Sequence, residues 1–133
     1  MSEKIIRWMI FSVLFALLPI CFHMLKIVSF GSELSIESVF GSGELLLIGA
    51  AISAAAVGEL VVGNAYRRKA KLTVSGACIF LLALNSLWYA DVSSAANSQS
   101  TYDLNVVASG SVIMFSITLL VSALCVALSE ATE

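Results

Sequence analysis

Two polar side chains inside apolar stretches are the first candidates for chemistry in this sequence. Glu59 lies well within the run 43–64, "GELLLIGAAISAAAVGELVVGN", and Asn85 lies near the middle of a second run, "LTVSGACIFLLALNSLWYA". In apolar surroundings a carboxylate can bind a cation or exchange a proton, and an amide can bond a neighbouring helix or contact a solute. Both residues are therefore candidates for intramembrane polar or pore-lining groups.

The sequence leaves two interpretations of Glu59 open. A charge at the centre of a membrane span costs about 2.5–3.5 kcal/mol on insertion scales, so such groups usually face a cavity, a partner or a functional path. In the functional interpretation, Glu59 belongs to a ring of carboxylates in an oligomeric cation path or is a protonatable coupling site. In the structural interpretation, it pairs with Arg7, Arg67 or Arg68, or is a protonated acid bonded to Asn85.

Three further polar residues are weaker candidates of the same kind. Glu44 stands at the start of the run that contains Glu59, where an acid suits the positive end of a helix dipole. Ser111 and Thr118 share one face of the last apolar segment, as in a hydrated path or a close helix contact. Ser and Thr also bond back to the carbonyl one turn earlier, so this face can be purely structural.

The polar and helix-disturbing residues of the first apolar segment share one face: Ser12, Ala16, Pro19, His23 and Lys26. Pro19 removes a backbone donor and is predicted to kink the helix. His23 is either a proton-relay group or the partner of a loop carboxylate such as Glu33 or Glu37.

The second apolar segment carries small residues on more than one face: Gly49, Ser53, Ala56 and Gly58. Apolar burial does not drive association in lipid, and small residues let helix backbones approach closely. This segment is therefore predicted to be the packing centre of the bundle or of an oligomer interface.

Helices across a bilayer are the elements predicted to position these residues. The chain is 59% hydrophobic and 12% charged, against roughly 25% charged residues in soluble domains. Four apolar segments, at about 5–27, 45–66, 72–90 and 104–128, are each long enough for a helix to cross a ~30 Å hydrocarbon core. The predicted fold class is all-α: one polytopic transmembrane domain, residues 1–133, that forms a four-helix bundle.

Six of the seven basic residues lie on one side of the predicted membrane: Lys4, Arg7, Arg67, Arg68, Lys69 and Lys71. The positive-inside rule makes that side cytoplasmic, which places both termini there and predicts a multi-pass inner-membrane protein. The basic hairpin 66–71, "YRRKAK", is predicted to be a tight turn and a docking surface for a cytosolic partner. On the other side, "LSIESVF" is either a short amphipathic helix or an irregular loop.

The sequence lacks the motifs of common catalytic sites, such as a phosphate-binding Gly loop, HExxH, a Ser–His–Asp set or metal-spaced His and Cys. The three cysteines fall in separate apolar segments and are predicted to be small apolar fillers. The net charge of −2 gives no nucleic-acid signal. We therefore expect a protein that is not an enzyme and has no cofactor, metal or nucleic-acid partner.

The short chain, the basic hairpin "YRRKAK" and the segment "GELLLIGAAISAAAVGEL" resemble the small four-span inner-membrane proteins of bacterial anti-phage loci. Examples are the RexB-like proteins and the membrane subunit of Kiwa-type systems. The resemblance covers most of the chain as architecture, and the second segment and the hairpin as sequence. It implies a membrane sensor or ion-conducting effector that acts as a homo-oligomer, often with a cytosolic partner protein.

Two other functions compete with that expectation. One is a membrane anchor or scaffold that docks a soluble partner through Arg67, Arg68, Lys69 and Lys71. The other is a small-solute transporter of the four-helix multidrug type. That class uses an acid in its first span, and this chain has none between Lys4 and Lys26.

Overall fold

The structure is a computed structural model that describes residues 3–31, 33, 35, 39–61, 68–98, 101 and 103–130. The regular structure in these residues is helical, without strands. The elements are α1 (Glu3–Trp8), a π-helical segment (Met9–Leu14), α2 (Phe15–Ser29), α3 (Glu44–Val61), α4 (Arg68–Asn97) and α5 (Leu104–Ser129). The first three follow one another without a break and are called the first helix below.

Four helices are long and apolar enough to cross a membrane: the first helix, α3, α4 and α5. The shortest, α3, has 18 residues, which at ~1.5 Å per residue approaches the ~30 Å of a hydrocarbon core. The predicted all-α class and the number of apolar helices are therefore confirmed.

The helix ends differ from the ends of the predicted apolar segments, most of all in α4. This helix begins at Arg68, inside the basic cluster, and continues to Asn97, seven residues beyond the predicted end at 90. Hydropathy marks where apolar side chains stop, whereas backbone hydrogen bonding continues through good helix formers such as Arg, Lys and Ala. Residues 62–67, which include Arg67 and part of the predicted turn, lie outside the described residues, as does most of "LSIESVF".

The helices alternate in direction, as contacts between neighbours show. Gly43 lies beside Val92, and Gly49 beside Asn85, so α3 and α4 are antiparallel. Asn85 bonds Thr118, and Trp88 lies against Gly110, so α4 and α5 are antiparallel as well.

The small-residue helix α3 is the centre of the packing. It makes extensive contacts with both α4 and α5 and also touches α2 and the π segment. Half of its most apolar 18-residue stretch is buried, against 18% of the corresponding stretch of the first helix. Leu46, Ile52 and Ala56 are among its fully buried or nearly fully buried residues. The first helix is thus a peripheral element on a core of three helices.

Two loop residues set helix boundaries. Gly31 follows the end of α2 with φ of 70° and donates its N–H to the Val28 carbonyl at 3.0 Å. Glycine tolerates this left-handed conformation, which ends a helix without steric cost. Asp103 precedes α5, and its carboxylate accepts the N–H of Asn105 at 2.9 Å as an N-cap.

The first helix departs from α geometry at Met9–Leu14. The π segment ends five residues before Pro19, whose ring crowds the carbonyl four residues earlier. Prolines and π-bulges are both sites at which helices bend. The kink predicted at Pro19 itself stays a prediction.

Candidate functional site

A line of amide and hydroxyl side chains runs between α3, α4 and α5. Asn85 is fully buried, and its Nδ2 donates to the Leu81 carbonyl at 2.8 Å and to Thr118 Oγ1 at 3.0 Å. The second bond joins α4 to α5, a kind of bond worth about 0.6 kcal/mol on average in membrane proteins. Both N–H groups of the amide are used in these two bonds. The alternative in which a protonated Glu59 bonds Asn85 stays a prediction.

The remaining polar side chains of this line are equally enclosed. Ser111 is fully buried on α5, and its Oγ donates to the Val107 carbonyl at 2.5 Å. This is the backbone bond that serine commonly makes in helices. Among the residues that the structure describes, Asn85 Oδ1 and Ser53 Oγ are buried without a hydrogen-bond partner. The interior is therefore polar in places but closed to solvent.

The four predicted packing residues of α3 fall on two sides of the helix. Gly49, Ser53 and Ala56 are buried, and a Cβ at Gly49 would lie 3.2 Å from Asn85 Oδ1. The absence of a side chain at Gly49 therefore makes room for the Asn85 amide. Gly58 is exposed, with open space where its Cβ would be.

Glu59 lines a cavity of about 310 Å³ between the first helix and α3. We call it the Glu59 cavity; its lining residues are Arg7, Trp8, Phe11, Ser12 and Glu59. The Glu59 side chain is half-buried, whereas Trp8 is only 4% exposed. The indole N–H of Trp8 is buried and has no hydrogen-bond partner in the part of the chain that the structure describes. The structure thus places Arg7, one of the predicted partners of Glu59, around the same cavity.

Sequence reasoning missed two lining residues of this cavity, Phe11 and Trp8. Trp8 lies four residues before Ser12 and so continues the face formed by Ser12, Ala16, Pro19 and His23. That spacing was the available signal, but a tryptophan in an apolar segment does not stand out as polar.

The opposite end of the same helix pair holds a second polar contact. His23 Nδ1 lies 3.3 Å from Glu44 Oε1, and about 30% of each side chain is exposed. The other carboxylate oxygen, Glu44 Oε2, is buried and has no hydrogen-bond partner among the described residues. Glu44 therefore has a specific neighbour on α2 in addition to its place at the start of α3.

The basic residues that the structure describes at the start of α4 differ in exposure. Arg68 and Lys69 are exposed, whereas Lys71 is only 7% exposed. Lys71 begins a row of buried residues at every seventh position of α4, continued by Cys78, Asn85 and Val92. Its position on this inner face distinguishes it from the other two, and Arg67 lies outside the described residues.

Within the described ranges, no group of three or more His, Cys, Asp or Glu residues is arranged to hold a metal ion. No protein-family model, curated protein or solved structure matches this chain. The class of protein therefore follows from the geometry: an all-α bundle of four helices, each long and apolar enough to cross a membrane. Its distinguishing features are the Glu59 cavity and the His23–Glu44 contact.

Proposed function

We propose that this chain is a multi-pass inner-membrane protein that acts as a homo-oligomeric membrane sensor or ion-permeable effector, with Glu59 as its functional carboxylate. In this proposal the four helices cross the bilayer and both termini lie in the cytoplasm, as the distribution of basic residues supports. The resemblance to four-span proteins of anti-phage loci supports a role in antiviral defence.

The observation that carries the proposal is the contrast between Glu59 and the polar interior. Asn85, Ser111 and Thr118 are fully buried among α3, α4 and α5, so they do not line a water-filled path in this conformation. Glu59 instead lies beside a cavity near one end of the bundle, where the peripheral first helix meets α3. A cation path that uses this carboxylate runs along the outside of the three-helix core, which favours an assembly of several copies.

Reconstitution into liposomes with the Glu59→Gln variant tests this proposal. Gln keeps the size of the side chain and removes its charge, so cation flux falls in the variant while the oligomer, measured by native mass spectrometry, persists. The matched control is Glu33→Gln, because Glu33 is an exposed acid outside the helices. Unchanged flux in Glu59→Gln, with the assembly intact, contradicts a functional role for this carboxylate.

A membrane anchor for a cytosolic protein is the second candidate, favoured by the exposure of Arg68 and Lys69 in the first turn of α4. Charges presented together at a helix end suit an acidic partner surface. Neutralising both residues to Gln should abolish co-purification of a co-expressed partner, whereas Lys26→Gln, at an exposed position in the last turn of α2, should leave it unchanged. Retained co-purification by the double variant argues against docking at this surface.

A further inference from the structure

We propose that the Glu59 cavity binds the headgroup of a phospholipid that carries a primary ammonium, of the phosphoethanolamine type. The inference rests on the proposed insertion into a membrane, but not on ion permeation. It assigns the cavity a ligand, whereas the proposed function concerns the movement of ions or the sensing of a disturbance.

The charges around the cavity match a zwitterion. Arg7 and Glu59 both line it, so a guanidinium and a carboxylate surround one space of about 310 Å³. An arginine side chain binds phosphate oxygens through paired N–H donors, and a carboxylate accepts hydrogen bonds from an ammonium group. A headgroup with both a phosphate and an ammonium complements both charges, whereas a purely anionic or cationic ligand complements one and opposes the other.

Trp8 and Ser12 supply the neutral polar contacts. The indole N–H of Trp8 is buried and has no acceptor among the described residues, and such a group costs free energy comparable to a lost hydrogen bond. A phosphate or ester oxygen in the cavity is an acceptor of the kind this donor lacks, and the Ser12 hydroxyl lies in the same lining.

The position of the cavity favours a lipid over a soluble ligand. It lies at the junction of α1 and the π segment, about one to three turns from the start of the first helix at Glu3. In the proposed orientation this end of the first helix lies toward the membrane–water interface, where tryptophan residues are enriched. Phe11 is 61% exposed beside the cavity, so the lining continues onto the apolar outer surface where acyl chains would lie.

Quenching of Trp8 fluorescence by brominated lipids tests the inference. The chain has two tryptophans, so Trp88→Phe leaves Trp8 as the only one. The protein is studied in detergent micelles with phosphatidylethanolamine, phosphatidylcholine or phosphatidylglycerol of identical brominated acyl chains. We expect half-maximal quenching at a roughly tenfold lower mole fraction of phosphatidylethanolamine than of the other two, because it alone offers N–H donors to Glu59 beside a phosphate for Arg7.

Two variants in the Trp88→Phe background separate the two charges. Glu59→Gln should remove the preference for phosphatidylethanolamine over phosphatidylcholine, since the quaternary ammonium of the latter donates no hydrogen bonds. Arg7→Gln should weaken the binding of phosphatidylethanolamine and of phosphatidylcholine by a similar factor, because both lipids carry the phosphate. Glu33→Gln is the control, and it should leave the quenching by all three lipids unchanged. Far-ultraviolet circular dichroism verifies that each variant is folded.

Equal quenching by phosphatidylethanolamine and phosphatidylcholine, or stronger quenching by phosphatidylglycerol, would overturn the inference. Displacement of the brominated lipid by soluble phosphoethanolamine at millimolar concentration would also overturn it, because the ligand would then be a small zwitterion. Failure of this inference is distinguishable from failure of the proposed function. A selective headgroup preference with unchanged cation flux in Glu59→Gln refutes only ion permeation, whereas no quenching of Trp8 in lipid bilayers refutes insertion itself.

Discussion

Replacement of Gly110 by alanine should destabilise the bundle, although alanine is the better helix former. Gly110 lies inside α5 against the indole of Trp88 on α4. A Cβ built on Gly110 would collide with Trp88 Cη2 and would lie 3.1 Å and 3.3 Å from Cζ2 and Cζ3. These are atoms of a rigid ring, so the ring or one of the two helices has to move.

The magnitude follows from two opposing effects. Alanine improves on glycine in a helix interior by up to about 1 kcal/mol. An extra methyl group in a closely packed contact costs about 1–3 kcal/mol through displaced side chains and backbone. At Gly76 of α4 only the first effect operates, because nothing lies within 4 Å of its Cβ position. Gly110→Ala should therefore be less stable than Gly76→Ala by about 1–3 kcal/mol.

Unfolding in mixed micelles with increasing sodium dodecyl sulfate, followed by circular dichroism, measures this difference in free energy. Trp88→Leu is the companion substitution, because it removes the ring that the new methyl group meets. In the Trp88→Leu background, Gly110→Ala should lose most of its destabilising effect. Equal stability of Gly110→Ala and Gly76→Ala, or no rescue by Trp88→Leu, would refute the close approach of α4 and α5 at this point.

Three other contacts give predictions of smaller size. A double-mutant cycle with Asn85→Ala and Thr118→Val should give a coupling energy of about 0.6 kcal/mol in micelle unfolding, and zero coupling would show that this bond does not form. Asp103→Ala should lower the unfolding free energy by about 1 kcal/mol because α5 loses its N-cap, whereas Asp103→Asn should change it little. A cycle with His23→Ala and Glu44→Ala should give at most about 1 kcal/mol, since the pair is partly exposed; a larger coupling contradicts a solvent-screened contact.

The number and kind of helices could be predicted from sequence, because length and apolar composition alone determine whether a helix can cross a bilayer. The ends of α4 could not, since they depend on backbone hydrogen bonds that continue past the last apolar residue. The central position of α3 in the packing has a local cause in its small residues. The close contact of Trp88 with Gly110 has no such signal, because it depends on the rotation of α4 relative to α5.

The individual polar residues of the candidate site could be predicted from the sequence, whereas the residues that they contact could not. Glu59 stands out because a carboxylate is rare inside an apolar run. That Arg7 and Trp8 share a cavity with it depends on the antiparallel placement of the first helix, more than 50 positions away in the chain. Similarly, Asn85 was recognisable as an amide in need of a partner, whereas its bond to Thr118 depends on the register of α4 and α5.

Two polar features described above lie along one joint, between the first helix and α3. The Glu59 cavity is near one end of this joint and the His23–Glu44 contact is near the other. Fifteen residues of α3 separate the two glutamates, which corresponds to about 22 Å along the helix axis. The first helix is also the least buried of the four and contains both the π segment and Pro19. Closely packed cores resist deformation, whereas such a joint can adjust with the loss of few contacts. In the proposed sensor, a signal that binds at either end of this joint would therefore act on the first helix and leave the core of α3, α4 and α5 as a fixed support.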